Sequence, residues 1–147
     1  MTTLKGRAVY GSIARGSTLI TRMPINFTAA FTKPANILPH KRGEINDRHH
    51  ELFKKDLKGK VLVFPAAIGS TYTGMILMQL MRDGHAPAAM IVQKVDSLLV
   101  SGAVLAEVWF GKGIPIVEYS SDDLFEKVKT GTHVEVNGNT GEIIVAD

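Results

Sequence analysis

A cluster of hydroxyl residues and glycines is the sharpest chemical feature of this 147-residue sequence. It lies between a short apolar segment, residues 59–65, and a segment rich in methionine and leucine, residues 75–84. The first has the composition of a strand buried on both faces, and the second that of a helix ending at a glycine. The predicted strand leads into the predicted helix at this cluster. The cluster consists of Gly69, Ser70, Thr71, Tyr72, Thr73 and Gly74.

A helix start of this kind favours anions. Its first N–H groups have no acceptor inside the helix, and together they carry about half a unit of positive charge. The alkoxide form of Ser70 is stabilised there relative to water, so Ser70 could act as a base. The alternative is that Ser70 or Thr71 is an ordinary helix cap, worth about 1 kcal/mol. The pattern alone leaves both interpretations open.

A second polar cluster precedes the apolar segment. Adjacent histidines on an extended segment point in opposite directions, so a shared metal is not expected there. An aspartate that orients a histidine, or an arginine that binds a carboxylate, would be chemically sensible. The alternative is a solvated polar loop. The cluster consists of Asn46, Asp47, Arg48, His49 and His50.

Composition limits the possible functions. The length predicts one domain, residues 1–147, and the absence of cysteine excludes disulfides and cysteine-bound zinc or iron–sulfur clusters on this chain. The lysines and arginines are scattered among acids at a net charge of +3, which disfavours nucleic-acid binding. No apolar run approaches the roughly 20 residues that cross a bilayer, and the first residues do not form a signal peptide, so we expect a soluble, cytoplasmic protein.

The order of elements predicts an α/β fold. Residues 88–92 and 114–119 are predicted strands, and residues 98–109 form the helix between them; strand, helix, strand, helix, strand requires parallel strands. Short alternating stretches near both ends predict an adjoining β layer, which makes a three-layer β/β/α domain. We expect Arg15 in a hairpin turn, and an irregular segment with exposed Phe27 and Phe31 at residues 23–43.

These motifs together resemble the small subunit of the aconitase X family, the stand-alone counterpart of the swivelling domain of aconitase-type enzymes. The resemblance covers residues 6–119. It rests on Ile45-Asn46-Asp47-Arg48-His49-His50, on the strand that leads into the cluster at residues 69–74, on residues 84–89, and on residues 113–117.

The resemblance implies a dehydratase that is active only with a large subunit carrying a cysteine-bound iron–sulfur cluster. It implies a swivelling β/β/α fold, with Ser70 as the proton acceptor and the partner's iron acting on the departing hydroxyl. This chain alone would bind no cofactor and no metal. The residues expected to hold the substrate are Gly69, Thr71, Thr73, Gly74, Arg48 and His49.

Two substrates are compatible with the resemblance. We expect cis-3-hydroxy-L-proline, dehydrated to Δ1-pyrroline-2-carboxylate, because residues 68–74 contain no lysine or arginine for a phosphate. The alternative is 5-phosphomevalonate. The sequence departs from the family pattern at residues 26–31, where a segment with glycine and tryptophan is usual, and at Thr71, where a second serine is usual.

Functions of another class remain alternatives. Phosphohistidine carriers share the swivelling fold, but they place a histidine where this loop has hydroxyl residues. A non-catalytic module could use the helix start to bind an anion.

Overall fold

The computed structural model describes residues 1–69 and 71–146 of the chain. Within these residues the backbone forms eight strands and four α-helices. The strands are β1 (Thr2–Lys5), β2 (Arg7–Tyr10), β3 (Ile13–Ile20), β4 (Val61–Phe64), β5 (Ala89–Val92), β6 (Ile116–Glu118), β7 (His133–Asn137) and β8 (Glu142–Val145). The helices are α1 (Phe27–Phe31), α2 (Thr73–Arg82), α3 (Ser97–Phe110) and α4 (Leu124–Lys127), with two 3₁₀ helices at Pro34–Ile37 and Pro39–Lys41.

The parallel part of the sheet consists of β3, β4, β5 and β6, in that order. β4 and β5 are buried at every position, as expected for parallel strands covered on both faces. α2 connects β4 to β5, and α3 connects β5 to β6, so the predicted alternation of strands and helices is confirmed. The residues that follow these four strands lie at one edge of the sheet, which we call the carboxyl edge.

β3 joins the parallel strands to an antiparallel layer. Residues 13–17 pair antiparallel with β7, and residues 18–20 pair parallel with β4. A Cβ at Gly16 would lie 2.6 Å from the carbonyl oxygen of Gly59, so a side chain does not fit where the strand changes partner. The prediction of a hairpin turn at Arg15 is wrong, because Arg15 lies within β3 and its side chain binds Glu135 of β7 at 2.8 Å.

Two hydrophobic cores separate three layers of structure. Val61 and Val63 of β4 belong to the core shared with β1, β7, β8 and α4, whereas Leu62 and Phe64 belong to the core shared with α1, α2 and α3. This alternation is the two-residue period of a strand covered on both faces. The β/β/α architecture predicted from the sequence is confirmed.

Residues 23–43 are more ordered than the sequence suggested. Phe27 and Phe31, expected to be exposed, are 0% and 8% exposed. Phe27 stacks on Phe31 at 5.9 Å and contacts Phe64 edge-on at 5.8 Å between ring centroids. The prediction was wrong because a five-residue helix is too short to show a period, and apolar partners such as Phe64 lie far along the chain.

α2 and α3 pack through glycines. A Cβ at Gly74 would lie 2.6 Å from the carbonyl oxygen of Leu98, and one at Gly102 would lie 2.6 Å from the carbonyl oxygen of Gly74. α3 is capped by Asp96, which accepts a hydrogen bond from the Leu99 amide at 2.8 Å. None of the helices described is both long and apolar enough to cross a bilayer.

We predict that Gly102→Val lowers the free energy of unfolding by about 2–3 kcal/mol, because the new side chain must separate two backbones in contact. Glu107→Val, which places the same side chain at an exposed position of α3, should change it by no more than about 0.5 kcal/mol. Urea unfolding of both variants measures the difference. Equal free energies of unfolding for the two variants would show that the close approach of α2 to α3 contributes nothing to stability.

Candidate active site

The loop between β4 and α2 is held at the carboxyl edge by backbone pairing. Ile25 and Ala67 form a parallel bridge. The Ile25 amide donates to the Ala66 carbonyl at 3.0 Å, and the Ile68 amide donates to the Ile25 carbonyl at 2.9 Å. The chain after β3 therefore fixes the position of the chain after β4, directly before the hydroxyl cluster. Ser70 itself, the expected proton acceptor, lies outside the described residues.

Asn26 connects this loop to α1. Gly69 has a φ of +94°, and a Cβ built on it would lie 2.5 Å from the Asn26 side-chain nitrogen. The Asn26 side-chain oxygen accepts a hydrogen bond from the Ala29 amide at 3.1 Å and so caps α1. Gly69 is thus required by both its backbone angle and its neighbour. Asn26 lies in the segment where the sequence departs from the family pattern, and its contact with Gly69 was not predicted.

α2 begins at Thr73, too late in the chain for Ser70 or Thr71 to be its N-cap. The structure places Tyr72 at the N-cap, and Thr71 is exposed in the turn before it. Thr73 is 2% exposed, and the Cα of Gly74 faces α3. The amides of Gly74 and Met75 belong to the first turn and have no acceptor inside the helix. This region would therefore bind an anion mainly through backbone amides, with the hydroxyl of Thr71 beside them.

The second polar cluster is a turn rather than the extended segment expected from the sequence. The Asp47 carboxylate accepts a hydrogen bond from the His49 amide at 3.0 Å, and the Asp47 carbonyl accepts one from the His50 amide at 3.1 Å. His49 is exposed, whereas His50 is 6% exposed and accepts through Nδ1 from the Leu52 amide at 3.0 Å. Nowhere in residues 1–69 and 71–146 do three or more His, Asp or Glu side chains come together as a metal site would require.

Arg48 and His49 line one cavity of about 420 Å³. We call it the Arg48 cavity. Among the residues described, none of the loop at 69–74 lines it. Its wall consists of Lys33, Pro34, Ala35, Asn46, Asp47, Arg48, His49 and Phe53.

The predicted site residues thus form two groups with α1 between them. Gly69 meets Asn26 at the start of α1, and the Asn46 amide donates to the Ala30 carbonyl near its end, at 2.8 Å. Five helical residues span about 7.5 Å. Lys33 lies on the cavity wall two residues after α1 ends and was not among the predicted site residues. Isolated lysines on a surface are common, and no local pattern distinguishes this one.

Glu118 stabilises the neighbouring part of the carboxyl edge. Its carboxylate accepts hydrogen bonds from Arg7 of β2 at 2.8 Å and from the Val95 amide, ahead of α3, at 2.9 Å. The Arg7 guanidinium, and then the Val95 amide, lower the pKa of Glu118 below its usual value. Glu118 therefore stays ionised and ties the β5–α3 connection to the end of β6.

We predict that Gly69→Ala destabilises the protein by about 1 kcal/mol more than Gly84→Ala. Both positions have positive φ and pay a similar strain of about 1–2 kcal/mol. Only at Gly69 does the new methyl group displace Asn26, which costs the cap of α1, whereas Gly84 has nothing within 4 Å. Thermal unfolding of the two variants provides the comparison. If the two lose the same stability, the contact between Gly69 and Asn26 does not hold the loop.

The proteins that this chain resembles support the fold described above. Residues 3–145 match the aconitase X swivel domain. The crystal structure of Thermococcus kodakaraensis aconitase X in its holo-form is similar with a TM-score of 0.83 and 28% identity, and the match covers 100% of both chains.

Related sequences match over nearly their whole length. The phosphomevalonate dehydratase small subunit of Methanosarcina acetivorans is 36% identical over 140 residues, which is 95% of this chain and 88% of the relative. That of Thermococcus sibiricus is 31% identical over 144 residues, 98% of each chain. This protein therefore belongs to the aconitase X swivel domain family.

Proposed function

We propose that this chain is the small subunit of an aconitase X-type dehydratase and supplies one catalytic side chain, Ser70, to a site completed by a large subunit. The observation that carries the proposal is the family match over residues 3–145, together with relatives of similar length that are named dehydratase small subunits. The family resemblance assigns the role of proton acceptor to the serine that follows Gly69.

The surroundings of the loop suit that role. Pairing of Ile25 with the loop and the contact between Asn26 and Gly69 fix the backbone immediately before Ser70. The start of α2 follows within three residues, and its dipole favours negative charge nearby. In this proposal the Ser70 alkoxide removes the proton next to the substrate carboxylate, while Gly69, Thr71, Thr73 and Gly74 bind that carboxylate, mainly through backbone amides.

We propose 5-phosphomevalonate as the substrate, in place of cis-3-hydroxy-L-proline. The relatives reported above are named for the phosphorylated compound, and no observation favours the proline derivative specifically. The absence of lysine and arginine from residues 68–74 speaks against a phosphate only at that loop. In the folded chain, Lys33 and Arg48 lie together on one cavity wall, beyond α1 from the loop.

The iron–sulfur cluster implied by the resemblance does not fit this chain. The sequence contains no cysteine, and thiolates are the usual ligands of such clusters. We therefore assign the cluster to the large subunit. The contribution of this chain is limited to its own groups, which are the base and the amides that bind the substrate.

A dehydratase subunit differs from the other two functional classes in its sequence and in its need for a partner. A phosphohistidine carrier requires a histidine in the loop after β4, and residues 65–72 contain none. An anion sensor would bind its ligand without a partner and without turnover.

We predict that Ser70→Ala lowers kcat of the complex on 5-phosphomevalonate by about 10²–10⁴-fold, because a general base is lost. Assembly with the large subunit, measured by size-exclusion chromatography, should be unchanged. Ser12→Ala, which removes an exposed hydroxyl in the connection between β2 and β3, is the matched control and should retain full activity.

The same complex tested with cis-3-hydroxy-L-proline decides between the substrates. The account expects turnover of the phosphorylated acid and little of the proline derivative. Near-normal turnover by Ser70→Ala on either substrate would remove Ser70 from the mechanism. Turnover of the proline derivative alone would restore the first expectation from the sequence and overturn the substrate assignment.

A further inference from the structure

We infer that the Arg48 cavity binds the phosphate group of the substrate, an inference that rests on the function proposed above. It gives a specific role to Arg48 and His49, which the family resemblance linked only to substrate in general, and it adds Lys33 to the site.

Arg48 differs from the other arginines of the chain. Four of the six bind carboxylates, and Arg22 stacks on the Phe125 ring at 4.8 Å. Within the described residues, Arg48 has neither an ion pair nor a ring contact. An arginine guanidinium is well suited to bind phosphate oxygens in pairs, so an arginine without a carboxylate partner on a cavity wall is a natural anion ligand.

The groups around Arg48 favour an anion. Lys33 and His49 lie on the same cavity wall, and Lys54 lies over the ring of Phe53, another wall residue, at 5.5 Å. Asp47 is the carboxylate of this wall, and one of its oxygens already accepts a hydrogen bond from the His49 amide. The positive charges of Lys33 and Arg48 therefore exceed the single negative charge of Asp47 on this wall.

In the other cavities of the described residues that an arginine lines, the arginine already has a partner. In a cavity of about 110 Å³, Arg42 binds Asp83 at 2.8 Å. In one of about 300 Å³, Arg22 stacks on the Phe125 ring at 4.8 Å, and in one of about 370 Å³, Arg7 binds Glu118 at 2.8 Å. A phosphate monoester, with a charge of about −1.5 to −2 at pH 7, would have to displace that partner in each of them.

The spacing along α1 matches the length of the substrate. The hydroxyl loop meets Asn26 at one end of α1, and the Arg48 cavity lies at its other end, about 7.5 Å away along the axis. In 5-phosphomevalonate six bonds separate the carboxyl carbon from phosphorus, about 7 Å when extended at roughly 1.2 Å per bond. One molecule can therefore place its carboxylate at the loop and its phosphate in the cavity. A hydroxyproline, which has one carboxylate and no phosphate, would use only the loop.

Kinetics of the assembled two-subunit enzyme test the inference. Arg48→Gln should raise KM for 5-phosphomevalonate, and the inhibition constant of inorganic phosphate, each by at least about tenfold, while kcat changes less than about threefold. Arg48→Lys should recover part of the loss, because it keeps the charge but not the paired geometry. Lys58→Gln, which removes an exposed charge outside the cavity, should leave both constants unchanged.

Direct binding separates failure of this inference from failure of the proposed function. Inorganic phosphate titrated into the same complex and followed by ³¹P NMR requires no turnover. The inference expects Arg48→Gln to weaken phosphate binding by the same factor as KM, and an unchanged phosphate affinity overturns it for any substrate. Weaker phosphate binding with an unchanged KM would mean that the cavity binds free phosphate, which overturns the assignment to the substrate.

Discussion

The site depends on a parallel pairing that continues beyond the ends of two strands. β3 and β4 pair up to Ile20 and Val63, and the pairing resumes where Ile25 bonds the loop after β4. Backbone hydrogen bonds of this kind leave little freedom, because each buried amide and carbonyl must find a partner. Asn26 then caps α1 and closes against Gly69, so that one short segment positions both the hydroxyl loop and the helix leading to the Arg48 cavity.

The three layers explain why we place the proposed site at the carboxyl edge. The antiparallel layer covers one face of the parallel strands, and α1, α2 and α3 cover the other. The edge carries the loops after each strand, which is the usual place for a ligand in an α/β sheet. Ile68, Tyr72 and Met75 beside the proposed catalytic loop are each at least 50% exposed, an apolar surface that suits a second chain better than water. In the proposed function, the base on this chain and the cluster on the large subunit meet only when the two chains assemble.

The sequence predicted the central elements well, because β4, α2, β5, α3 and β6 each carry their own local pattern. It missed β1 and α1 and placed Arg15 in a turn, since those features depend on partners such as Glu142, Phe64 and Glu135 that lie far along the chain. The same limit affected the site. The positive charges for a phosphate were sought only within residues 68–74, whereas folding brings Lys33 and Arg48 together from separate segments. Which residues share a cavity is a property of tertiary structure, and no local period encodes it.

The central claim is that the carboxyl edge, and not the antiparallel layer, works together with a partner. Amide hydrogen exchange of the chain, alone and in complex with the large subunit, tests it most directly. We predict that amides at residues 66–72 and 46–53 exchange more slowly in the complex, while those of β1, β7 and β8 keep the rates of the free chain. Protection confined to β1, β7 and β8, with an unchanged loop, would contradict the account.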